Sequence, residues 1–350
     1  MKFNIKDINN YGSPYIIAEI GANHNGDMEL AKKLIESASN SGAHSAKFQS
    51  WGTSSLISKT EYKRKEKFND GDGGKKHFGS LKKMVEKYHI DSDKHSLLKA
   101  YCDEFNIDFS STPFSISEVD LLVSLNVPFL KIASMDINNF RLLRYAARQD
   151  KPLILSTGMA TLSEIKKAVN LIEEEGNNEI ILLHCISIYP PEFSDINLNN
   201  IQMLMDNFKY PVGFSDHSVG IEIPMAAVAL GACVIEKHFT LDKSLPGWDH
   251  AVSAEPNDLE MICKYADNIS KSLGSYDRKL TEAELIKKKD FRRSIVCSRD
   301  LKQGTILTDQ DIDFKRPGDG IPADQEDIVI GKKLTRSYKE DDLISFEDLI

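Results

Sequence analysis

Long apolar runs are missing from this chain: none of its 350 residues falls in a stretch approaching the roughly 20 apolar residues of a membrane-spanning helix. The opening Met1-Lys-Phe-Asn-Ile-Lys-Asp7 is polar and leads into no apolar secretory core, so a cytoplasmic protein without a membrane partner is expected. Cysteine is sparse as well. Its five copies, Cys102, Cys185, Cys233, Cys263 and Cys297, are odd in number and never spaced Cys-x-x-Cys. That excludes a disulfide framework and a structural zinc site, and suits reduced thiols. Positive charge is in deficit. The formal net charge is -9, and the densest basic run, Glu61-Tyr-Lys-Arg-Lys-Glu-Lys67, mixes both signs as solvated surface does. A general nucleic-acid partner, which needs a clustered basic face, is excluded on that ground. The dinucleotide fingerprint is missing too, because Glu19-Ile-Gly-Ala-Asn-His-Asn-Gly26 has the wrong glycine spacing after the first β-like run.

What is present is repetition. Eight short runs rich in β-formers recur at Tyr15–Gly21, Ser45–Trp51, Ile107–Pro113, Phe129–Ser134, Pro152–Gly158, Ile180–Ile186, Pro211–His217 and Cys233–Thr240, with amphipathic helical stretches between them. Near-continuous apolar strands, buried on both faces and alternating with helices, describe a parallel sheet; eight of them favour an α/β fold of the (β/α)8 TIM-barrel type over a doubly wound open sheet. Leu30, Leu34, Ile35 and Ala38 stripe one crossover helix, and Thr161-Leu-Ser-Glu164 opens another with a capping-box pattern. The long, charged excursion Thr53–Tyr88 reads as a lid or substrate-contacting loop. The pattern changes near Ser275. The expected organisation is a barrel over 1–275, a linker over 276–291 and a small β-rich domain over 292–350, which packing on the barrel or a partner subunit would stabilise.

In such a barrel the active site lies at the carboxyl ends of the strands, and polar residues collect there in this sequence. His217 and His238 each end an apolar run, 21 positions apart and separated by a helical stretch long enough for a crossover. Alone, each is a half-buried hydrogen-bonded histidine; as a pair at neighbouring strand ends they suit a divalent cation with open positions for a substrate oxygen. Manganese, with magnesium or cobalt in its place, fits two imidazoles better than structural zinc does. Lys47, Lys131, several hydroxyls and Arg316 suit an anion carrying phosphate and carboxylate. For each lysine separately, a salt bridge to an inward carboxylate such as Glu19 is an equal alternative.

The ordered motifs resemble those of the sialic acid synthases along the whole chain. They are Ile17-Ala-Glu-Ile-Gly-Ala-Asn-His-Asn-Gly26, Ala46-Lys-Phe-Gln49, Ser111-Thr-Pro-Phe114, Lys131-Ile-Ala-Ser134, Ile154-Leu-Ser-Thr-Gly-Met159, Leu183-His-Cys185 with Tyr189-Pro190, Phe214-Ser-Asp-His217, Glu236-Lys-His-Phe-Thr240, Gly247-Trp-Asp-His250 and Lys315-Arg-Pro-Gly318. The resemblance implies a barrel followed by an antifreeze-like (SAF) domain. It implies condensation of phosphoenolpyruvate with an N-acylamino-hexose, N-acetylmannosamine or a diacetamido-trideoxyhexose, to a nine-carbon 2-keto sugar acid and phosphate. By the same resemblance His217 and His238 bind the metal, and Lys47, Lys131, Ser134, Ser156, Ser187 and Ser215 hold phosphoenolpyruvate. Gln49, Asp136, Tyr189 and Asp249 position the sugar, joined by Arg316 from the SAF domain of the other subunit in a domain-swapped homodimer. Glu19 orders water or the metal shell, and Glu19 and Asp249 are candidate proton handlers.

Asp136 stands where sialic-type enzymes usually carry Glu, and the Thr53–Tyr88 excursion lacks the Ala-x-Tyr-Gln stretch of many bacterial sialic and legionaminic types, so the sugar branch stays open. Two other readings remain: an aldolase-like lyase using Lys131 or Lys237 as a Schiff-base amine, and a non-catalytic sugar-binding barrel.

Overall fold

The computed structural model describes residues 2–3, 6–64 and 81–350. Part of the 53–88 excursion, and with it the end of the Glu61–Lys67 run, lies outside the described residues. The chain divides into two units, Met1–Gly274 and Ser275–Ile350.

The first unit is built on eight strands: β1 (Tyr15–Gly21), β2 (Ser45–Ser50), β3 (Asp108–Pro113), β4 (Leu130–Ile132), β5 (Leu153–Ser156), β6 (Ile180–Cys185), β7 (Val212–Asp216) and β8 (Val234–His238). β1 coincides with its expected run, and each of the others falls within one, shortened by one or two residues at one or both ends. Pro152 and Pro211 have no N–H for the ladder and stand just before their strands, each offering a carbonyl instead, to Leu130 and Leu182. The pairing order is β3-β2-β1-β8-β7-β6-β5-β4, every ladder is parallel, and the outermost strands β3 and β4 lie against each other. Strand β1 next to β8 and β3 next to β4 make a near-closed barrel, which removes the open doubly wound alternative.

Helices cover the outside because their apolar stripes have nowhere else to go. Met28–Asn40 is capped by the Asp27 carboxylate, which accepts from the backbone N–H groups of Glu29 and Leu30, and it buries Ala31, Leu34, Ile35 and Ala38. Leu162–Glu174 carries the full Thr161/Glu164 capping box. Among the described residues no helix is long and apolar enough to cross a membrane.

Strand periodicity then decides what fills the barrel. At the amino end the inside is apolar, a cluster including Ile8, Tyr15, Ile17, Phe129, Ile154, Ile181 and Leu183. Two residues further along the same strands, on the same face, the side chains become Glu19, Ser156, Cys185 and Glu236. One floor of the barrel is a hydrophobic plug, and the next is polar.

In the second unit, helix Glu282–Phe291 precedes an antiparallel pair, β9 (Ser294–Cys297) and β10 (Ile312–Lys315). Ile295, Cys297, Leu307, Ile321, Val329, Leu334 and Ile344 are buried around it in a core of their own. All five cysteines of the chain are free thiols; Cys263 is half-buried and the others are buried.

Candidate active site

The carboxyl end of the barrel opens into a cavity of about 550 Å3, a size ordinary for two small substrates. Twelve of the fourteen residues expected at the site line it: Glu19, Lys47, Gln49, Lys131, Ser134, Ser156, Ser187, Tyr189, Ser215, His217, His238 and Asp249. Asp136 and Arg316 are not among the wall residues. Asp136 sits in the 3-10 turn Ser134–Asp136 after β4, where Oδ1 accepts from Asn139 and Oδ2 is buried without a hydrogen-bond partner. Burial raises its pKa. Arg316 belongs to the second unit, its guanidinium 4.6 Å above the Phe291 ring.

At the base of the cavity is a charge network. Lys47 Nζ lies 2.6 Å from Glu19 Oε2 and 3.6 Å from Glu236 Oε2, and donates to Thr112 Oγ1 at 3.0 Å. Lys131 Nζ donates to Ser156 Oγ at 2.7 Å and lies 3.4 Å from Glu236 Oε1, which also accepts from Ser215 Oγ at 2.9 Å. Gln49 donates to Glu19 Oε1 at 2.8 Å, so the salt-bridge alternative for Lys47 and Glu19 is realised inside the site itself. Glu236, absent from the expected set, is the hub. Burial opposes its ionisation, but Lys131 and Lys47 outweigh that and hold its pKa at about 2. Burial likewise pulls Lys47 down, and Glu19 and Glu236 more than compensate, raising it. Lys131 has less compensation; burial lowers it despite Glu236. The floor thus carries two ammonium groups beside hydroxyls, ready for a polyanion.

The hydroxyl wall approaches the backbone of Gly158. Its N–H donates to Ser134 Oγ at 3.1 Å, and a Cβ there would lie 2.4 Å from Ser187 Oγ and 2.8 Å from Ser134 Oγ. Only glycine leaves that cradle open. Cys185, also unanticipated, lines the same wall, 3.7 Å from Ser134 Oγ and 4.0 Å from His217 Nδ1.

The two imidazoles face one another across the strand ends, with ring centroids 5.5 Å apart. Tyr189 covers them, 4.0 Å from the His217 ring and 5.7 Å from the His238 ring. His217 donates through Nδ1 to the Ile186 carbonyl at 2.7 Å, which fixes the tautomer and leaves Nε2 with its lone pair. His238 Nδ1 is buried without a hydrogen bond, 3.9 Å from Asp249 Oδ2, and burial holds this imidazole well below its ordinary pKa, hence neutral. Burial lowers the pKa of His217, but Cys185 and the Ile186 carbonyl outweigh it and raise it, so a cation there would compete with a proton. An imidazole pair with one neutral member and the other oriented through its second nitrogen fits a divalent cation. Among the described residues no group of three or more His, Cys, Asp and Glu could hold a metal by itself, so the remaining positions would fall to substrate and water.

Two strand-end residues turn away from the cavity. His184 bonds through Nε2 to the Ile196 carbonyl at 2.6 Å, and Lys237 is buried against Asp216 on the other face of the sheet. The imine reading therefore loses Lys237. Apolar side chains form the rest of the mouth: Phe114, Met135, Met159, Ile188 and Trp248. Phe114 and Trp248 are backed by a cluster that includes Trp51, Leu81, Met84 and Tyr88, so the described end of the 53–88 excursion supports this wall.

Comparison with known proteins agrees with this geometry. A model of the NeuB family matches residues 34–278, and one of the SAF domain matches 292–350. The chain is 44% identical over 335 residues, 94% of its length and 98% of the relative's, to N,N'-diacetyllegionaminic acid synthase of Campylobacter jejuni. It is 38% identical to the synthase of the same name from Legionella pneumophila, over 96% of this chain and 94% of that one. Among solved structures, an N-acetylneuraminic acid synthetase from Leptospira borgpetersenii superposes with a TM-score of 0.71 at 36% identity, covering 82% of this chain and 94% of the other. With the lysine floor, the hydroxyl cradle and the imidazole pair gathered at one barrel mouth, the chain belongs to the NeuB family: it is a nonulosonate synthase, a phosphoenolpyruvate-dependent transferase that forms a carbon–carbon bond, and it ends in a SAF domain.

Proposed function

We propose that the acceptor is a diacetamido-trideoxyhexose and the product a legionaminic-type nonulosonate. The observation that carries this is the apolar mouth. Met135, Met159 and Ile188 are 59%, 70% and 57% exposed, and they stand beside Phe114 and Trp248. A sugar with a methyl at C6 and a second acetyl group offers apolar surface to such a wall; N-acetylmannosamine presents hydroxyls there instead. Two relatives named for diacetyllegionaminic acid, at 44% and 38% identity, support the same choice.

In this reading Lys47 and Lys131 neutralise phosphoenolpyruvate, while Ser134, Ser156, Ser187 and Ser215 receive its oxygens around the Gly158 cradle. His217 and His238 hold manganese, with magnesium or cobalt as substitutes, and the cation when bound supplies Lewis acidity to the sugar's aldehyde oxygen. Gln49, Tyr189 and Asp249 orient the sugar so that its aldehyde carbon meets the enol methylene. Asp136 acts on it indirectly, through the turn that brings Ser134 and Met135 to the wall. Water then adds at the former enol carbon, and the phosphate leaves with the C–O electron pair; Glu19 and Asp249 are the carboxylates placed to move the protons. Arg316 reaches the acyl group from the SAF domain of a second copy in a domain-swapped homodimer, with 276–291 as the linker. The enzyme works in the cytoplasm.

The deciding experiment offers N-acetylmannosamine and the diacetamido-trideoxyhexoses separately with phosphoenolpyruvate and manganese, reading phosphate release and product mass. A kcat/KM at least tenfold higher for a diacetamido sugar is expected. Equal or better use of N-acetylmannosamine refutes the choice of sugar, and imine trapping by borohydride refutes the mechanism.

A further inference from the structure

Behind the two imidazoles, on the opposite face of the same strands, lies a second charge pair with no substrate to meet. Asp216 and Lys237 alternate with the inward residues Ser215, His217, Glu236 and His238, so they point away from the cavity, and both side chains are 1% exposed. Lys237 Nζ lies 2.6 Å from Asp216 Oδ2 and also donates to the Ser218 carbonyl; Asp216 Oδ1 accepts from the Ser218 N–H at 2.9 Å and from Ser218 Oγ at 2.7 Å.

The position of this cluster along the ladder gives it meaning. Lys237 and Asp216 are the last registered pair between β8 and β7. Beyond it His217 has left the sheet, and the backbone ladder no longer fixes its distance from His238. The side-chain cluster takes over at that point. It holds the residues on both sides of His217, Asp216 and Ser218, through the residue that directly precedes His238. Packing alone does not call for charges here, since a buried ion pair is commonly no more stabilising than apolar residues of the same volume.

We propose that the Asp216–Lys237 pair, together with Ser218, is a positioning device that sets the separation and tilt of His217 and His238 for metal binding. It rests on the reading that these imidazoles hold the cation. A metal site tolerates only small displacements of its ligands, and outer-shell partners of ligating histidines typically change metal affinity by about 10- to 100-fold when removed.

The test is manganese(II) titrated into the purified full chain without substrates, with the free ion read by electron paramagnetic resonance. In the double variant Asp216→Leu/Lys237→Met both charges are replaced by apolar groups. Melting at or above the temperature of the unaltered chain is expected, with manganese affinity weakened roughly 10- to 100-fold. A folded double variant with unchanged affinity overturns the inference. Should the double variant not fold, Ser218→Ala decides, because it deletes one tie and keeps the ion pair: a severalfold loss of affinity supports the device, and no loss overturns it. His238→Ala serves as the reference. If it binds manganese like the unaltered chain, the metal reading of the imidazoles fails and this inference with it; if it loses the ion while the double variant keeps it, only the positioning role fails.

Discussion

The charge hub offers the most quantitative test. Glu236→Gln keeps the shape of the side chain and removes the only carboxylate ion-paired with Lys131 among the described residues. Burial alone would raise the pKa of Glu236, yet Lys131 and Lys47 bring it from 4.5 to about 2. At about 1.4 kcal/mol per pH unit, that depression corresponds to about 3 kcal/mol of folding stability. The sign follows from the direction. A carboxylate with a depressed pKa contributes fully above its unfolded value and loses the contribution as pH falls through the folded one. The variant should therefore be less stable than the unaltered chain by about 3 kcal/mol from pH 7 down to pH 5, with the gap closing below 4.5. For a unit of this size that is a melting difference of roughly 6–12 °C, measurable by calorimetry on the barrel transition across a pH series. A gap under about 1 kcal/mol at pH 7, or one that persists unchanged to pH 3, refutes the claim that Glu236 is held ionised by the two lysines.

Three further outcomes can be checked on the same protein. Gly158→Ala places a methyl group against Ser187 Oγ, Ser134 Oγ and the Cys185 carbonyl, so KM for phosphoenolpyruvate should rise about tenfold or more, read by steady-state phosphate release, with a smaller loss in melting temperature because the two tightest contacts are serine hydroxyls. Lys131→Met should raise that KM on the order of 100-fold, read by steady-state phosphate release, with the KM for the sugar nearly unaffected. Chelation should stop phosphate release and added manganese should restore it; in His217→Ala or His238→Ala, restoration should require on the order of 100-fold more metal, measured as the half-saturating concentration.

The barrel was legible because its signal is local. A strand buried on both faces must be apolar throughout, and eight such runs stand out against amphipathic helices without any knowledge of what they touch. Strand ends were less sharp, since the proline before a strand and the polar residues after it carry the same β-rich character in sequence but give no ladder bonds. The 3-10 turn that holds Asp136 shows the limit. Once the chain leaves β4, alternation no longer says which way a side chain points, and Asp136 does not reach the cavity wall although its neighbours Ser134 and Met135 do.

Within the strands, alternation says more than the motifs do. If His238 faces the cavity, then Glu236 must face it too and Lys237 cannot, because they are two and one residues away on an extended chain. The same step puts Ser215 and His217 inside and Asp216 outside. Lys237 could thus have been set aside as an imine-forming amine from the sequence alone, and Glu236 added to the site. What alternation could not supply is the reason an acid belongs there. Glu236 meets Lys47 from β2 and Lys131 from β4, strands far apart in the pairing order, and only closure of the barrel brings these three residues to one floor. That closure also explains why the floor tolerates two buried lysines. Glu19 and Glu236 lie within ion-pair distance of them, and in the proposed reading the substrate's phosphate and carboxylate compete for cations that are already desolvated and held in place.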